Sequence, residues 1–559
     1  MTRLTFGFAA VLSLISIIIL RLQTGRVLAV FDFAYYTDVA IRIQHGLVPY
    51  RDIPLFASPG TFLELAGLFS FTGRDYFAIF ALMAAKSAIT CFAVVYLISA
   101  RLRESDTRGR ILIYGTISWI SLLNVYALFF QPFYDADAVV AILISACLVV
   151  AAWTTPKTGT LRVTLLRVMA GMSILLPFFY KQTFGIAWLG ILILAGMGAV
   201  FGSKENRGRV TTIGSGLLGA ALLSIALLAV FGALHDWKYW TVDYPLTIRN
   251  SSYFALFGGL GVQERFIIGL LVVSGAVAAS ARASHALRNY PILILMIAPP
   301  LVWMYEFALA GVYSLDGASQ VSLVWMPLLI TCWLTAFLIT AFRSPAWSIW
   351  DTILCATSAA AFAGLISQGF GGSTHSIWPI MILNVALVAA ALTRLERYSR
   401  LWLITGGLVL TWIVFAVIAV DAYNMTRYAW IARPESPSAA AASFAWARTP
   451  GTFLADASKA ATLFEKYSKL GPTTMFPGEE PVAFLTGEVP HSDISASDGT
   501  TNPSYDDLGG WLQRRGVKYV ILRRDSQIPG DTRLSEIDDQ LTHFSLVQKD
   551  DPFEVYERR

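Results

Sequence analysis

The chain has 559 residues, 56% of them hydrophobic and only 14% charged, and its mean hydropathy is +0.59, whereas soluble domains carry roughly a quarter charged residues. An ordinary soluble globular protein is excluded, and a polytopic α-helical membrane protein is indicated. With 42 basic against 37 acidic residues, the balance gives no reason to expect nucleic acid as a partner, so placement of charge matters more than its sum.

Apolar runs of about 17 to 25 residues, long enough to cross a bilayer, fall near 4–21, 76–100, 111–130, 136–153, 162–180, 183–201, 211–233, 265–281, 291–312, 321–342, 350–367, 377–393 and 401–421. This predicts about thirteen transmembrane helices. Arg3 ahead of a short apolar core, with VLA ending at Ala29, also fits a cleaved signal peptide; a retained first helix is the preferred reading. Cys91, Cys147, Cys332 and Cys355 lie inside apolar runs without a CxxC or Cys/His pattern, which fits small core residues rather than disulfides or metal ligands.

Orientation follows from the short loops. Those at 101–110, 154–167, 202–210, 280–290, 343–351 and 393–400 hold sixteen basic residues, while the loops of opposite parity hold only Lys181. By the positive-inside rule the basic set is cytoplasmic. The N-terminus is then cytoplasmic, and the 31–60 segment, the 234–264 loop and everything after Asp421 face outward.

The stretch FDFAYYTDVAIRIQHGLVPYRDIPLFASPG, residues 31–60, stands out as an acid-bearing, aromatic outer loop. Carboxylates are costly near a bilayer unless they are used. Asp32 sits among Phe31, Phe33, Tyr35 and Tyr36, where partial desolvation would raise its basicity. Asp38 opens TDVAIRIQHG, which reads as an amphipathic helix in the membrane surface with Thr37 as its cap. The plainer readings make Asp38 a first-turn charge and Asp52 a partner of Arg51.

Further along, Lys86 lies ten residues past Tyr76, about 15 Å along a helix. A cation this deep is a functional candidate, suited to a lipid phosphate. QPFYDADAVV places Asp135 and Asp137 at a helix start, where capping explains one acid cheaply. Together they could instead hold a divalent cation or a sugar hydroxyl. Lys181 and Gln182, in PFFYKQTFG, offer a second cation with an amide beside it; snorkelling to the interface is the alternative for both lysines. HDWKYWTVDYPLTIRNSS adds Arg249 as a third phosphate candidate amid aromatics that also suit an interfacial belt. QGFGGSTHSIWP places His375 in a small polar cluster at an outer helix end, a candidate ligand contact.

The tail from Asp421 changes character, with Pro, Gly, Ser and charged residues frequent. The expected organisation is a transmembrane domain over 1–421 with an outer loop at 22–75, a linker over 422–437, and a small extracytoplasmic α/β domain over 438–559. Within the last, VKYVILRR (517–524) and PVAFLTG (481–487) read as strands, and SAAAASFAWAR (438–448) and YDDLGGWLQRRG (505–516) as helices. The tail has no HExxH, GxSxG or P-loop pattern, which suggests binding or docking.

The order DFAYYTD, GLVPYRD, SPG, Lys86 in the second helix, FYDAD, FFYKQTFG and GGSTHSIWP resembles the GT-C superfamily of polyprenyl-phosphate-dependent glycosyltransferases. It is most similar to the bacterial branch containing protein O-mannosyltransferases and aminoarabinose transferases. The tail's FPGEEPVAFLTGE and FEVYERR resemble that branch's outer domain, so the likeness covers nearly the whole chain. It implies inverting transfer of a sugar from a polyprenyl-phosphate donor to a glycolipid, polysaccharide or protein acceptor, at the outer face of a bacterial inner membrane. Asp32 would be the general base, Lys86, Lys181, Gln182 and Arg249 phosphate contacts, and Tyr35, Tyr36 and His375 acceptor or sugar contacts. Asp38, Asp52, Asp135 and Asp137 are secondary acidic candidates. Many members have Asp-Glu where this chain has Asp32-Phe33. A transporter or flippase of lipid-linked sugars, or a non-catalytic envelope scaffold, are the competing readings; the paired Gly/Pro-broken repeats of transporters are missing.

Overall fold

The computed structural model describes residues 2–23, 30–102, most of 113–126, 132–156, 160–201, 203–244, 348–367, 374–392, most of 453–491, 508–525 and 541–559. The runs expected at 265–281, 291–312, 321–342 and 401–421, the linker and the 438–448 helix lie outside these residues. Among the described residues six segments are long and apolar enough to cross a membrane: Arg3–Arg21, Tyr76–Arg101, Tyr134–Thr154, Leu161–Tyr180, Gln182–Val200 and Lys204–Val230.

Helix α1 (Arg3–Gln23) packs along α4 (Tyr76–Arg101). Asp75 caps α4 by accepting from the Phe77 amide at 2.9 Å, which satisfies one of the amides a helix start leaves unpaired. Helix α5 (Tyr134–Thr154) carries Asp135 and Asp137 in its first turn, favourable against the helix dipole. The next span is not continuous: α6 runs Leu161–Ile174 and a short α7 Leu176–Tyr180. Pro177 lies in the first turn of α7; lacking an N–H, it cannot continue the ladder from α6. Helix α8 (Gln182–Val200) follows after the extended Lys181, and α9 (Lys204–Val230) is capped by Ser203. Helices α6 and α9 cross at glycines: a Cβ on Gly171 would lie 1.9 Å from the Ile213 carbonyl oxygen, and one on Gly216 2.2 Å from that of Val168. Small residues allow this backbone approach within a bilayer.

Two expectations about the early segment need correction. Residues 22–75 are not a loop: they contain helix α2 (Val30–Gln44) and helix α3 (Gly60–Thr72). Nor is 37–46 an amphipathic surface helix, because every residue from Phe33 to Arg42 is buried. Thr37 sits mid-helix, donating to the Phe33 carbonyl at 2.8 Å, so it is no cap. The 111–130 run is also interrupted, with a 3-10 turn at Trp119–Ser121 and a turn at 125–126. There Asn124 donates to Ser16 at 2.9 Å and to the Ser87 carbonyl at 3.1 Å, tying this stretch to α1 and α4. After α9 come a one-turn helix α10 (Leu234–Lys238) and a π-turn over Tyr239–Asp243. Helices α11 (Ile349–Ser367) and α12 (Trp378–Leu392) pack against each other.

The C-terminal residues form a four-stranded sheet in the order β1-β2-β4-β3, made of Thr473–Phe476, Tyr519–Arg523, Phe553–Arg558 and Phe544–Asp550. The β1–β2 pair is parallel and the others antiparallel. Alternation along β2 serves two cores: Tyr519 and Ile521 face Phe464 and Tyr467 of helix α13 (Phe453–Ser468), while Val520 and Leu522 face Leu512 of helix α15 (Leu508–Arg514). Arg523 at the strand end gathers Asp456 at 3.0 Å and Glu480 at 2.8 Å.

PVAFLTG is not a strand. It forms helix α14 (Val482–Thr486), closed by Gly487 at φ +80°, a left-handed helix end that favours glycine. The run is buried on both faces and too short for periodicity to tell strand from helix. Val482 packs into the sheet core, while Phe484 inserts between Phe33 and Phe69, at ring separations of 5.4 and 5.7 Å. Around it Arg74 donates to the carbonyls of Ala483 (3.2 Å) and Phe484 (3.1 Å), Arg42 to that of Pro490 (3.3 Å), and His45 Nε2 lies 3.0 Å from that of Gly487. The sheet region is thereby docked on α2 and α3.

Candidate active site

Helices α3, α4 and α5 bring together Glu64, Lys86 and Asp137. Lys86 Nζ pairs with Asp137 Oδ1 at 2.6 Å and also with Glu64. The other Asp137 oxygen accepts from Thr61 at 2.7 Å, and Oδ1 also accepts from the Tyr126 hydroxyl. Asp137 is 1% exposed and Lys86 7%, so charge here can persist only because each group is paired and hydrogen-bonded. The Tyr180 ring lies under Lys86 at 5.7 Å. Glu64 keeps 27% of its side chain exposed. Burial holds its carboxyl above the usual range, with Lys86 opposing and Asp137 reinforcing the shift.

A second pair lies alongside. Lys181, in the extended break between α7 and α8, pairs with Asp135. Its ammonium stands 4.9 Å from the Tyr134 ring centroid and 5.8 Å from that of Phe184. Asp135 and Asp137 are two residues apart on α5 and serve different lysines. Gln182 Nε2 donates to the Phe56 carbonyl at 2.8 Å, and Ser58 Oγ to that of Phe178 at 2.6 Å. Gly60 approaches so closely that a Cβ would lie 2.5 Å from the Phe179 carbonyl oxygen. The 56–60 segment is thus pinned to the helix break, and Lys181 is fixed beside the start of α3.

Helix α2 forms an aromatic wall. Tyr36 stacks on Phe62 with centroids 5.4 Å apart and packs against Tyr134 at 5.7 Å; Tyr35 meets Phe62 edge-on at 5.4 Å. Both tyrosines are buried in this wall. Asp32 lies in the first turn of α2, but its side chain is outside the described residues, as is that of His375, within the 3-10 turn Thr374–Ile377. Arg249 falls wholly outside them. Phe33 packs against Tyr76 at 5.8 Å as well as Phe484. That position is apolar because it forms part of the seam with the sheet region.

The remaining acids have separate roles. Asp38 is buried and pairs with Arg42 at 2.8 Å one helical turn on, and its Oδ1 has no hydrogen-bond partner. Burial raises its carboxyl and Arg42 partly offsets this. Asp52 pairs with Arg51 at 2.7 Å and accepts from the Val48 amide at 2.8 Å; the Arg51 hydrogen bond first, and the Val48 amide after it, hold its carboxyl below the ordinary range. Among the described residues no three His, Cys, Asp or Glu side chains gather in a way that could hold a metal ion. The residue that sequence reasoning missed is Glu64. Its signal was a single acid in GTFLELAGLFSFT, within a segment read as loop.

With six bilayer-length apolar segments among its described residues and a charged, hydrogen-bonded cluster buried between them, the chain is a multi-pass membrane protein with a built polar site. No protein-family profile and no curated protein sequence matches it. Among solved structures it is similar to the crystal structure of ArnT from Cupriavidus metallidurans bound to undecaprenyl phosphate, at 13% identity, 98% coverage of both chains and a TM-score of 0.42. It is also similar to the apo state of that protein, at 10% identity, 99% coverage of this chain and 98% of the other, and a TM-score of 0.40.

Proposed function

We propose that this chain is a membrane glycosyltransferase that moves a sugar from a polyprenyl-phosphate donor to an envelope acceptor on the extracytoplasmic face of a bacterial inner membrane. The observation that carries this reading is the pair of buried lysines, Lys86 within α4 and Lys181 in the extended break between α7 and α8, each held by carboxylates. An apolar bundle accommodates a lipid tail, and preorganised cations stabilise the charge that develops on a leaving phosphate. Two ammonium groups here face three carboxylates, Glu64, Asp135 and Asp137. A phosphate binds once one carboxylate gives way. Glu64 is the one that yields, being the most exposed of the three and already inclined to hold a proton.

In the transfer step the acceptor hydroxyl oxygen attacks the anomeric carbon. The bond from that carbon to the phosphate oxygen breaks, the phosphate leaves with the electron pair against the lysines, and the hydroxyl proton passes to Asp32. Attack opposite the leaving group inverts the anomeric configuration. Gln182 and Arg249 complete the phosphate contacts, and Tyr35, Tyr36 and His375 line the sugar side. The test is transfer from a radiolabelled polyprenyl-phosphate sugar by the protein reconstituted in nanodiscs. Asp32→Asn is expected to abolish transfer while leaving donor binding intact; unchanged transfer at equal protein level would remove Asp32 from the mechanism.

A further inference from the structure

A polar cleft of about 510 Å³ opens between three chain segments: the turn at 47–54, the helical turns at 236–240, and residues 489–491 with Arg515. We propose that this cleft binds a saccharide and that, if the chain is the transferase described above, it holds the part of a glycan acceptor remote from the reacting hydroxyl. The half-buried Trp240 supplies aromatic surface on its wall, backed by the buried Tyr50. Arg51 and Arg515 supply planar donors, Asp52 and Asp236 supply acceptors, and His491 completes the lining, with the buried Arg42 behind it. An aromatic face beside charged planar groups suits a ring with one apolar face and a hydroxyl edge.

The charges are matched rather than one-sided. Arg51 is paired with Asp52 at 2.7 Å, and Arg42 with Asp38 at 2.8 Å behind the wall. A cleft balanced in this way reads hydroxyls rather than trapping an anion. Its wall is also fixed in advance. Tyr50 has φ +72°, unusual for a bulky residue, and the turn is held by Tyr50 N to Ile53 O at 3.0 Å, Asp52 N to Val48 O at 2.9 Å and Val48 N to Asp52 Oδ2 at 2.8 Å. His491 is fixed by Thr473 O at 2.8 Å from its amide, and its Nε2 lies 2.9 Å from Arg515 O. Arg42 lies ten residues along α2 from Asp32, about 15 Å of helix. Remote binding of this kind can be spent on positioning the reacting end.

The experiment uses the full chain in nanodiscs and saturation-transfer NMR with methyl pyranosides of glucose, galactose, mannose and N-acetylglucosamine at millimolar concentration, with inorganic phosphate as competitor. At least one pyranoside is expected to bind, phosphate is expected not to displace it, and Trp240→Ala and Arg515→Gln are expected to weaken it roughly three- to tenfold with unchanged melting. No saturation transfer to any of the four, equal binding by both variants, or displacement by phosphate overturns the proposal. In transfer assays the same variants should raise acceptor KM by a similar factor and leave donor KM unaltered. Saccharide binding without transfer would refute the transferase reading and keep the cleft; transfer without saccharide binding would do the reverse.

Discussion

Replacing Lys86 by Met would leave Glu64 and Asp137 facing each other across a buried site with nothing between them. At the 2.6 Å separation from Asp137, one such ion pair is worth ~6 kcal/mol at an effective dielectric of about 20, before the desolvation of both partners is subtracted. Removing one member of a buried pair costs roughly 3–5 kcal/mol, because the other charge stays behind unpaired. Lys86→Met is therefore expected to lose about that much stability. Adding Asp137→Asn should return ~1–3 kcal/mol of it, since a neutral amide needs no countercharge and its one oxygen still accepts from either Thr61 or Tyr126. The measurement is a double-mutant cycle of unfolding free energies in bicelles, with wild type, both single variants and the pair. The reasoning fails if Lys86→Met is as stable as wild type, or if the losses of the two single variants simply add in the double.

Two further tests address packing and pH. Gly216→Leu should cost about 1–3 kcal/mol or more, because its side chain must enter the Val168 backbone. Gly219→Leu, on the same helix with nothing within 4 Å of its Cβ position, should be tolerated; equal melting of the two would refute the α6–α9 contact. For Asp52, the folded carboxyl lies below its ordinary value, so the turn it closes is fully stabilised above about pH 4 and weakens as pH falls through the folded value. Hydrogen exchange at the Val48 amide should accelerate in that acid window in wild type. In Asp52→Asn this acceleration, beyond intrinsic exchange, should vanish.

The charged site was legible where charge is rare. Lys86, Asp135, Asp137 and Lys181 stood out because an apolar helix has no cheap reason to carry them, and they meet in two buried pairs. Their partnership was not legible, since which lysine faces which acid depends on helix rotation and on the break at Pro177. Glu64 was lost with the segment around it: the aromatics, Pro and Gly of 31–60 suggested a loop, whereas burial of the whole stretch from Phe33 to Arg42 rewards helix by removing backbone polar groups from an apolar setting. In the tail, the dense β-branched run at 517–524 read correctly, with β2 at Tyr519–Arg523. Strands β3 and β4 carry polar residues such as Lys549 and Glu554, whose ion pair at 2.9 Å is visible only once the strands are adjacent.

The seam between α2–α3 and α14 has a consequence for the order of events during synthesis. Arg42 and the Pro490 carbonyl it contacts are separated by 448 residues, so at roughly 5–20 residues per second the first waits on the order of 20–90 s for the second to be made. During that interval Phe33 and Phe69 lack the Phe484 ring that fills the space between them. The helix bearing Asp32 is thus left without its cover until the last fifth or so of the chain has been made and folded. The seam is among the last contacts of the molecule to assemble, and a chain stalled before residue 482 would have the buried lysines in place without helix α14 against α2 and α3.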